Sequence, residues 1–334
     1  MTRETVCAVV KQAIETDPRR VTFIWHGGEP LLLPRSFYLA ALEAQRDLAR
    51  QDQMIQNNIQ TNGLLLDEKW LEFLTANRFH IGISMDALSW LHDSNRATPA
   101  GHSSYADVRG TLTRLMEHRV NFGLLTVVTP EALALGAEMF DALVGLGVKQ
   151  FDFLPCVDLD PQTGTVGPLH VNPADFGKFL IDVLHRWFEV DDPDIKVRFL
   201  DNILCGALGG EATLCKLSGD CASFLTVMPD GDLYPCDSFM GVEEYRLGNL
   251  ASESLVQVLH GNRLRAFGAE FGRMDACVQC SANFVCKGGC FYQHYLAQRC
   301  GSDYCSMTRS VVEEMVPMIQ LAKDAMDRGQ SQCA

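Results

Sequence analysis

The sequence lacks both a long apolar run and an excess of positive charge. It contains no stretch of about 18 uncharged apolar residues, the minimum for a membrane-spanning helix. Residues 1–20 carry charge throughout, where a secretory signal would carry its apolar core. With 28 Lys and Arg against 42 Asp and Glu, the net charge is -14, and no basic block is available to neutralise phosphates. We therefore expect a cytoplasmic protein that binds neither nucleic acid nor membrane.

Cysteine is scarce in the first 200 residues and abundant afterwards. Only Cys7 and Cys156 precede residue 200, whereas eleven of the 13 cysteines lie between 205 and 333. A chain of 334 residues with 47% hydrophobic content is long enough for two domains, each with its own core. In a reducing cytoplasm this density of thiols indicates metal ligation rather than disulfides. The last third of the chain is therefore predicted to bind metal.

The first part of the chain alternates short apolar runs with amphipathic stretches. Strands are predicted at 21–25, 55–61, 79–84, 121–128 and 149–154. Helices are predicted near 35–50, 67–77, 105–119, 132–146 and 173–190. This alternation predicts the α/β class, with parallel strands joined by crossover helices. We place a domain boundary near residue 195, within "VDDPDIKVRF".

The stretch "VTFIWHGGEP", residues 21–30, places two glycines and a proline at the carboxyl end of the first predicted strand. Ligands of parallel α/β folds bind at this end of the strands. Glycines also let a ligand come close to the backbone. We therefore expect a small molecule near Gly27 and Gly28, with an ordinary strand-to-helix turn as the alternative. His26 is expected either to pack against its neighbours or to touch a substrate.

Eight of the late cysteines follow a regular pattern. Two of them precede a predicted hairpin, whose turn at Pro229 to Asp232 leads to a third, and "CVQCSANFVCKGGC" and "SDYCSM" supply the rest. The eight are Cys215, Cys221, Cys236, Cys277, Cys280, Cys286, Cys290 and Cys305. Two sets of four thiolates suit two 4Fe-4S clusters or two structural zinc sites, and spacing does not choose the metal. Free thiols are predicted for the other five cysteines, which are Cys7, Cys156, Cys205, Cys300 and Cys333.

These residues resemble a known family. The G-x4-C spacing of Gly231 and Cys236, then C-x2-C-x5-C-x3-C and a distal cysteine, is similar to the SPASM extension of radical S-adenosylmethionine (SAM) enzymes. With "WHGGEPLL", "IQTNGLLLDEKW", "IGISMDALSWLHDSNR" and "LLTVV", the chain resembles the anaerobic sulfatase-maturating enzymes from about residue 2 to its C-terminal helix. The resemblance implies a partial (β/α)6 radical SAM barrel over 1–195. It also implies a small SPASM domain with a C-terminal helix over 196–334.

The resemblance further implies a ligand for each site residue. An inner auxiliary 4Fe-4S cluster would be held by Cys215, Cys221, Cys236 and Cys290, and an outer one by Cys277, Cys280, Cys286 and Cys305. The methionine end of SAM would lie on Gly27 and Gly28. Ser84 and Arg96 would bind its carboxylate, for which a guanidinium offers a fork of donors. The alternatives are a local backbone cap for Ser84 and a surface ion pair for Arg96, which follows His92-Asp93.

The activity implied by the resemblance is the oxidation of a cysteine or serine in an unfolded sulfatase to formylglycine. SAM would be split to a 5'-deoxyadenosyl radical, which removes a hydrogen from the β carbon of the target. Asp237, next to a cluster ligand, would take the remaining proton as general base, and the inner cluster would take an electron. The alternative for Asp237 is a turn-forming Asp-Ser pair. The implied partners are the sulfatase polypeptide and an electron donor such as flavodoxin or ferredoxin.

One motif of the family does not occur in the sequence. Radical SAM chemistry uses a third 4Fe-4S cluster, on a CxxxCxxC loop after the first barrel strand, and these 334 residues contain no such loop. We expect that the barrel lacks its first strand, which leaves "VTFIW" at an open edge. We also expect that Met1 is an internal methionine of a longer enzyme and that these residues alone do not cleave SAM. The alternative is a shortened relative that kept only the auxiliary clusters.

Two other functions fit the same pattern. One is a SPASM maturase that modifies a small ribosomal peptide. The other is a non-catalytic iron-sulfur or zinc protein that binds a peptide or a partner enzyme.

Overall fold

A computed structural model describes residues 1–98, 100–160, 163–221, 223–271 and 277–332. Cys333, one of the predicted free thiols, lies outside these ranges. The helices are α1 (Arg3–Thr16), α2 (Arg35–Leu48), α3 (Glu68–Ala76), α4 (Ser89–Asn95), α5 (Tyr105–Glu117), α6 (Gly136–Gly145), α7 (Pro173–Val190), α8 (Arg198–Ala207), α9 (Cys215–Ser218), α10 (Leu255–Leu259), α11 (Asn262–Phe271), α12 (Asn283–Cys286), α13 (Phe291–Cys300) and α14 (Tyr304–Gln332). The strands are β1 (Arg20–Trp25), β2 (Met54–Thr61), β3 (Phe79–Ser84), β4 (Phe122–Val128), β5 (Gln150–Pro155), β6 (Lys196–Val197), β7 (Thr226–Val227), β8 (Asp232–Tyr234) and β9 (Gly248–Asn249).

The strands β1 to β6 form one sheet and follow one another in chain order. The ladders β1–β2, β2–β3, β3–β4 and β5–β6 are parallel. The predicted α/β class is confirmed, and each of the five predicted strands is present with small shifts at its ends. β6 was not predicted, because a two-residue strand is too short to show an alternating pattern.

β1 stands at the end of the strand order. Ile24 is 52% exposed, whereas the Trp25 ring packs edge-on against Phe37 and Tyr38 of α2. The strand is therefore covered by α2 on one face and open on the other. In the sheet that the described residues form, β1 is an edge strand, as expected.

Residues 1–126 and 225–266 form one compact unit. In it, α1 packs on α2 and on α10, and Leu255 N donates a 2.6 Å hydrogen bond to Gln12 Oε1. β7, β8 and β9 form an antiparallel sheet, which confirms the predicted hairpin. The hairpin and the residues that follow it, Cys236 and Asp237 among them, thus belong to the same unit as the N-terminal strands.

Residues 127–224 and 267–334 form the second compact unit. In its described part, α7 packs along α14, and α8 packs on α9 and α12. Gly177 lets α7 come close to α14, because a Cβ there would lie only 2.8 Å from Ser310 Oγ. The two units cut across the two predicted domains, so the boundary at residue 195 stays a prediction. No helix in the described ranges is both long and apolar enough to span a membrane.

Candidate functional site

The loop after β1 is built on two glycines with positive φ. Gly27 has φ +95° and Gly28 has φ +58°, a backbone region that L side chains rarely adopt. No atom of the described chain lies within 4 Å of the position that a Cβ would take at either residue. Backbone conformation therefore requires these glycines, and the space above them is open.

Glu29 fixes the shape of this glycine loop. Its carboxylate accepts hydrogen bonds from Leu31 N at 3.0 Å, Thr61 Oγ1 at 2.6 Å and Asn62 N at 2.9 Å. Thr61 ends β2, so the carboxylate joins the carboxyl ends of two neighbouring strands. This role of Glu29 was not predicted, although the position of an acidic residue between Gly-Gly and Pro could have indicated it.

Ser84, a predicted SAM ligand, is the last residue of β3. Its Oγ accepts a 2.9 Å hydrogen bond from Gln60 Nε2 on β2. The Ser84 hydroxyl can therefore donate its proton to another acceptor, such as the carboxylate of a ligand. Its contact with SAM stays a prediction.

Arg96, the other predicted carboxylate ligand, is paired with a buried acid. Its Nε donates to Asp86 Oδ2 at 3.0 Å and its Nη2 donates to Asp86 Oδ1 at 3.3 Å. The Asp86 side chain is 1% exposed and that of Arg96 is 26% exposed. The ion pair is therefore buried and formed with Asp86, not on the surface. These two bonds use two of the five guanidinium N–H groups, and the other three can meet a ligand.

A neutral histidine holds the loop that carries this pair. Asp86 N donates to His92 Nδ1 at 3.2 Å. His92 Nε2 lies 2.9 Å from Ser104 Oγ, which donates in turn to Arg96 O at 2.6 Å. Burial is the main cause that lowers the pKa of His92, with a smaller contribution from the Arg96 charge. The imidazole therefore accepts at Nδ1 and donates at Nε2, which fixes its tautomer.

Asp237 lies beside the glycine loop within the first unit. Its Oδ1 accepts a 2.9 Å hydrogen bond from Ser238 N and lies 3.1 Å from Cys236 Sγ. Its Oδ2 lies 3.8 Å from His26 Nδ1, and both side chains are about half exposed, at 54% and 46%. One oxygen is thus anchored near the cysteine, and the other faces the carboxyl end of β1. The structure brings Asp237 and His26 together, which the sequence did not predict.

The four cysteines of the predicted outer cluster lie in the second unit, close enough to affect each other's ionisation. Burial, with smaller contributions from Cys305, Cys277 and Cys280, raises the pKa of Cys286 to about 12. The pKa of Cys277 is raised by burial and by Cys280. The pKa of Cys305 is raised chiefly by burial and also by Asp303, Cys277 and Cys280. Because each ionised thiol opposes the ionisation of its neighbours, a bound cation is needed to hold all four as thiolates.

Three of the four predicted inner ligands also lie together in the second unit. Burial, with smaller contributions from Cys290 and Cys215, raises the pKa of Cys221 to about 11. Cys215 also raises the pKa of Cys290, after burial. The fourth ligand, Cys236, belongs to the first unit. There, burial and the neighbouring Asp237 charge raise its pKa to about 12.

The described cysteines form no disulfide. Of the predicted free thiols, Cys7 donates to Ala40 O at 3.8 Å and Cys205 donates to Glu211 O at 3.7 Å. Within the described ranges, no group of three or more His, Cys, Asp or Glu side chains is arranged to hold a single metal ion. A four-iron cluster is a different case, because it takes one thiolate at each of its irons.

Two family models match the chain. The model of the SPASM iron-sulfur cluster-binding domain matches residues 221–281, and the model of the radical SAM superfamily matches residues 1–149. Both agree with the resemblance that the motifs indicate.

Relatives with assigned functions and solved structures agree with these matches. The chain is 29% identical to the cysteine-type anaerobic sulfatase-maturating enzyme of Clostridium perfringens, over 87% of this chain and 79% of the relative. It is 31% identical to the serine-type enzyme of Klebsiella aerogenes, over 81% of this chain and 67% of the relative. The solved structure of native anSMEcpe with bound AdoMet and Kp18Cys peptide aligns with a TM-score of 0.88 and 26% identity. That alignment covers 97% of this chain and 91% of the other.

Proposed function

The chain belongs to the anaerobic sulfatase-maturating enzymes of the radical SAM superfamily, and on that premise we propose that it serves the oxidation of a sulfatase cysteine or serine to formylglycine. The observation that carries this proposal is the position of Asp237, whose Oδ2 faces the carboxyl end of β1 beside His26. The Asp237 carboxylate can accept a proton at this position, near the open space above Gly27 and Gly28.

The residues of the first unit fit SAM by their chemistry. Main-chain groups at Gly27 and Gly28 are accessible because no side chain covers them. Ser84 keeps a hydroxyl proton, and Arg96 keeps N–H donors beyond those that it gives to Asp86. We assign the methionine end of SAM to the glycines and its carboxylate to Ser84 and Arg96.

The cysteines fit two auxiliary 4Fe-4S clusters. The outer cluster is assigned to Cys277, Cys280, Cys286 and Cys305; Cys277 and Cys280 raise the pKa of both Cys286 and Cys305 in the second unit. The inner cluster is assigned to Cys215, Cys221 and Cys290, and the family resemblance implies Cys236 as its fourth ligand. When bound, SAM supplies hydrogen abstraction and the clusters supply electron acceptance; the protein residues bind, orient and remove protons.

Asp237 is assigned the removal of the target's thiol or hydroxyl proton. Its Oδ1 is occupied by Ser238 N, which leaves Oδ2 to accept the proton. The covalent link to Cys236 keeps this carboxylate next to an assigned cluster ligand. Base and electron acceptor would therefore act on the same target residue, the base at its thiol or hydroxyl and the electron acceptor at its β carbon.

The target is assigned to an unfolded sulfatase segment in the cytoplasm, with a flavodoxin or ferredoxin as electron donor. Relatives named for cysteine and for serine targets match the chain about equally well. Both targets therefore belong in the assay.

The experiment is anaerobic incubation of the reconstituted protein with SAM, a reductant and a short sulfatase peptide carrying either cysteine or serine. The 334 residues contain no CxxxCxxC motif. A second protein is therefore prepared in which a segment with this motif is fused before Met1. The aldehyde product is captured with a hydrazide and identified by mass spectrometry. We expect SAM cleavage and aldehyde from the second protein and neither from the first.

Asp237→Asn is the matched variant, because its amide oxygen still accepts from Ser238 N while it cannot take a proton. We expect it to bind the peptide normally and to lose aldehyde formation by about 100-fold, the lower range of a general base. Normal aldehyde formation by this variant would overturn the assignment of Asp237. Absence of aldehyde from the second protein, despite SAM cleavage, would overturn the proposed function.

A further inference from the structure

Two buried side chains, His92 and Ser104, connect the backbones of Asp86 and Arg96. Asp86 N donates to His92 Nδ1 at 3.2 Å. His92 Nε2 lies 2.9 Å from Ser104 Oγ, which donates to Arg96 O at 2.6 Å. We call these three hydrogen bonds the relay. With the two bonds between the Arg96 guanidinium and the Asp86 carboxylate, the relay forms a closed ring.

The relay allows a single arrangement of its two side chains. Because Nδ1 accepts a hydrogen bond, the imidazole proton of His92 lies on Nε2, and the Ser104 hydroxyl keeps its own proton for Arg96 O. His92 and Ser104 are each 1% exposed, so water does not compete for these bonds. Asp93 Oδ1 also fixes the Ser104 backbone, since it accepts from Ser104 N at 3.0 Å. A buried network in which every member is satisfied holds its groups rigidly.

The ring leaves one fork of the Arg96 guanidinium unused. Asp86 takes the Nε–H group and one N–H of Nη2. The three groups that remain are both N–H groups of Nη1 and the second one of Nη2. Neighbouring N–H groups on Nη1 and Nη2 match the two oxygens of a carboxylate. The Arg96 side chain is 26% exposed, so part of it remains accessible to a ligand.

We propose that His92 and Ser104 are positioning residues for SAM, because their relay fixes the Arg96 guanidinium in the orientation whose second fork binds the SAM carboxylate. The relay holds the backbones of Arg96 and Asp86, and the Asp86 carboxylate holds the guanidinium. Without the relay, part of the binding free energy is spent on ordering Arg96. The inference rests on the proposed function, in which Arg96 binds this carboxylate. His92 and Ser104 act through Arg96 and not by contact with SAM.

The test compares two ligands that differ only in the carboxylate, SAM and decarboxylated SAM. The protein is the full chain with the CxxxCxxC segment fused before Met1, reconstituted anaerobically with iron and sulfide and kept without reductant. Calorimetry gives the dissociation constant of each ligand. The constant for decarboxylated SAM divided by that for SAM is the carboxylate ratio. A variant that only loosens the fold weakens both ligands alike, whereas one that misplaces Arg96 lowers this ratio.

Three variants address the relay itself. Ser104→Ala removes the hydroxyl that joins His92 to Arg96 O, and Ser104→Thr keeps it. His92→Phe removes both ring nitrogens and keeps an aromatic ring beside Tyr105, whose ring centroid lies 5.6 Å from that of His92.

Gln53→Met is the matched control for lost buried hydrogen bonds. Gln53 Nε2 donates to Ile14 O at 2.8 Å and to Asp17 O at 2.6 Å. Gln53 directly precedes β2, at the amino end of the strand, whereas Ser84 and the glycine loop lie at the carboxyl ends of their strands. The variant should therefore lower the free energy of unfolding in urea and leave the carboxylate ratio unchanged.

We expect Ser104→Ala and His92→Phe each to lower the carboxylate ratio about fivefold, the size of one neutral hydrogen bond. The double variant should lower it no further, because both changes break the same relay. Ser104→Thr should retain most of the ratio. Urea unfolding and iron analysis show which variants are folded and loaded, and either relay variant alone is sufficient for the decision.

Arg96→Gln separates the ways in which the inference can fail. If it lowers the carboxylate ratio while Ser104→Ala and His92→Phe do not, the relay does not position Arg96, and the proposed function stands. An equal decrease in Gln53→Met would also overturn the role of the relay. If Arg96→Gln leaves the ratio unchanged, Arg96 does not bind the SAM carboxylate, and that assignment falls together with the inference. The aldehyde assay tests the proposed function independently of this ratio.

Discussion

Asp237 Oδ2 lies 3.8 Å from His26 Nδ1, so the residue that follows the proposed cluster ligand Cys236 contacts the residue that precedes the glycine loop. The contact lies within one compact unit. In the same unit, α10 packs on α1, and Leu255 N donates a hydrogen bond to Gln12 Oε1. His26 is thereby a neighbour of the proposed base, a third possibility beside the packing and substrate contact expected from the sequence.

The first prediction concerns His26. Replacing it with Phe removes the polar neighbour of Asp237, and replacing it with Gln keeps an N–H donor. Because both partners are about half exposed, the pair is worth at most about 1 kcal/mol. We expect His26→Phe to slow aldehyde formation two- to fivefold in the CxxxCxxC-bearing protein, with SAM cleavage unchanged. His26→Gln should retain most of the rate, and equal slowing by both variants would argue against an effect through Asp237.

The second prediction concerns the glycine loop. A Cβ at Gly27 would meet no atom of the described chain, so Gly27→Ala should cost only the backbone penalty of about 1–2 kcal/mol. Gly209, with φ +88° and equally open surroundings in the second unit, is the control. We expect both alanines to lower the free energy of unfolding similarly, but only Gly27→Ala to weaken SAM binding, measured by calorimetry. Equal SAM affinity in the two variants would place SAM elsewhere.

The third prediction concerns the buried ion pair. Arg96→Ala removes the guanidinium from the buried Asp86 carboxylate, which should cost about 3 kcal/mol of unfolding free energy. Arg309 pairs with Asp303 at 3.3 Å on the surface, where the side chains are 43% and 59% exposed. Arg309→Ala should therefore cost less than about 1 kcal/mol. Urea unfolding under reducing conditions measures both values, and similar losses would show that Asp86 does not depend on Arg96.

The fourth prediction concerns pH. Because the folded-state pKa of His92 is lowered, the unfolded chain binds a proton at a higher pH, about 6.5, than the folded chain does. The stability that neutral His92 contributes is complete above about pH 6.5 and is lost as the pH falls through the folded-state value. We expect the free energy of unfolding to decrease on acidification, and to decrease less in His92→Gln. Parallel pH profiles would refute this coupling.

Much of the fold could be predicted because it follows from local periodicity. β3, for example, was predicted as 79–84 and spans Phe79–Ser84, since its buried and open positions alternate along the chain. α7 was predicted near 173–190 and spans Pro173–Val190, where Asn172 caps the helix and Pro173 begins it. In both elements the signal lies within the residues themselves.

The contacts of the site could be predicted only in part. The two glycines could be identified from the sequence, because glycine is the residue that readily adopts positive φ. The roles of Glu29 and Asp86 could not, because their hydrogen-bond partners are distant in the sequence and meet them only in the fold. The sequence left a surface ion pair open for Arg96, but the fold pairs this residue with Asp86, whose side chain is buried. The grouping of the cysteines came from family resemblance, because spacing fixes neither the metal nor the partition into sets.

The measurement that tests the central claim most directly is the iron and sulfide content of the anaerobically reconstituted chain and of two double variants. If the eight cysteines hold two separate 4Fe-4S clusters, the unaltered chain binds about eight irons. Cys277→Ser with Cys280→Ser, and Cys215→Ser with Cys221→Ser, then each retain about four. Stoichiometric zinc without iron, or loss of all iron in either double variant, would contradict this account.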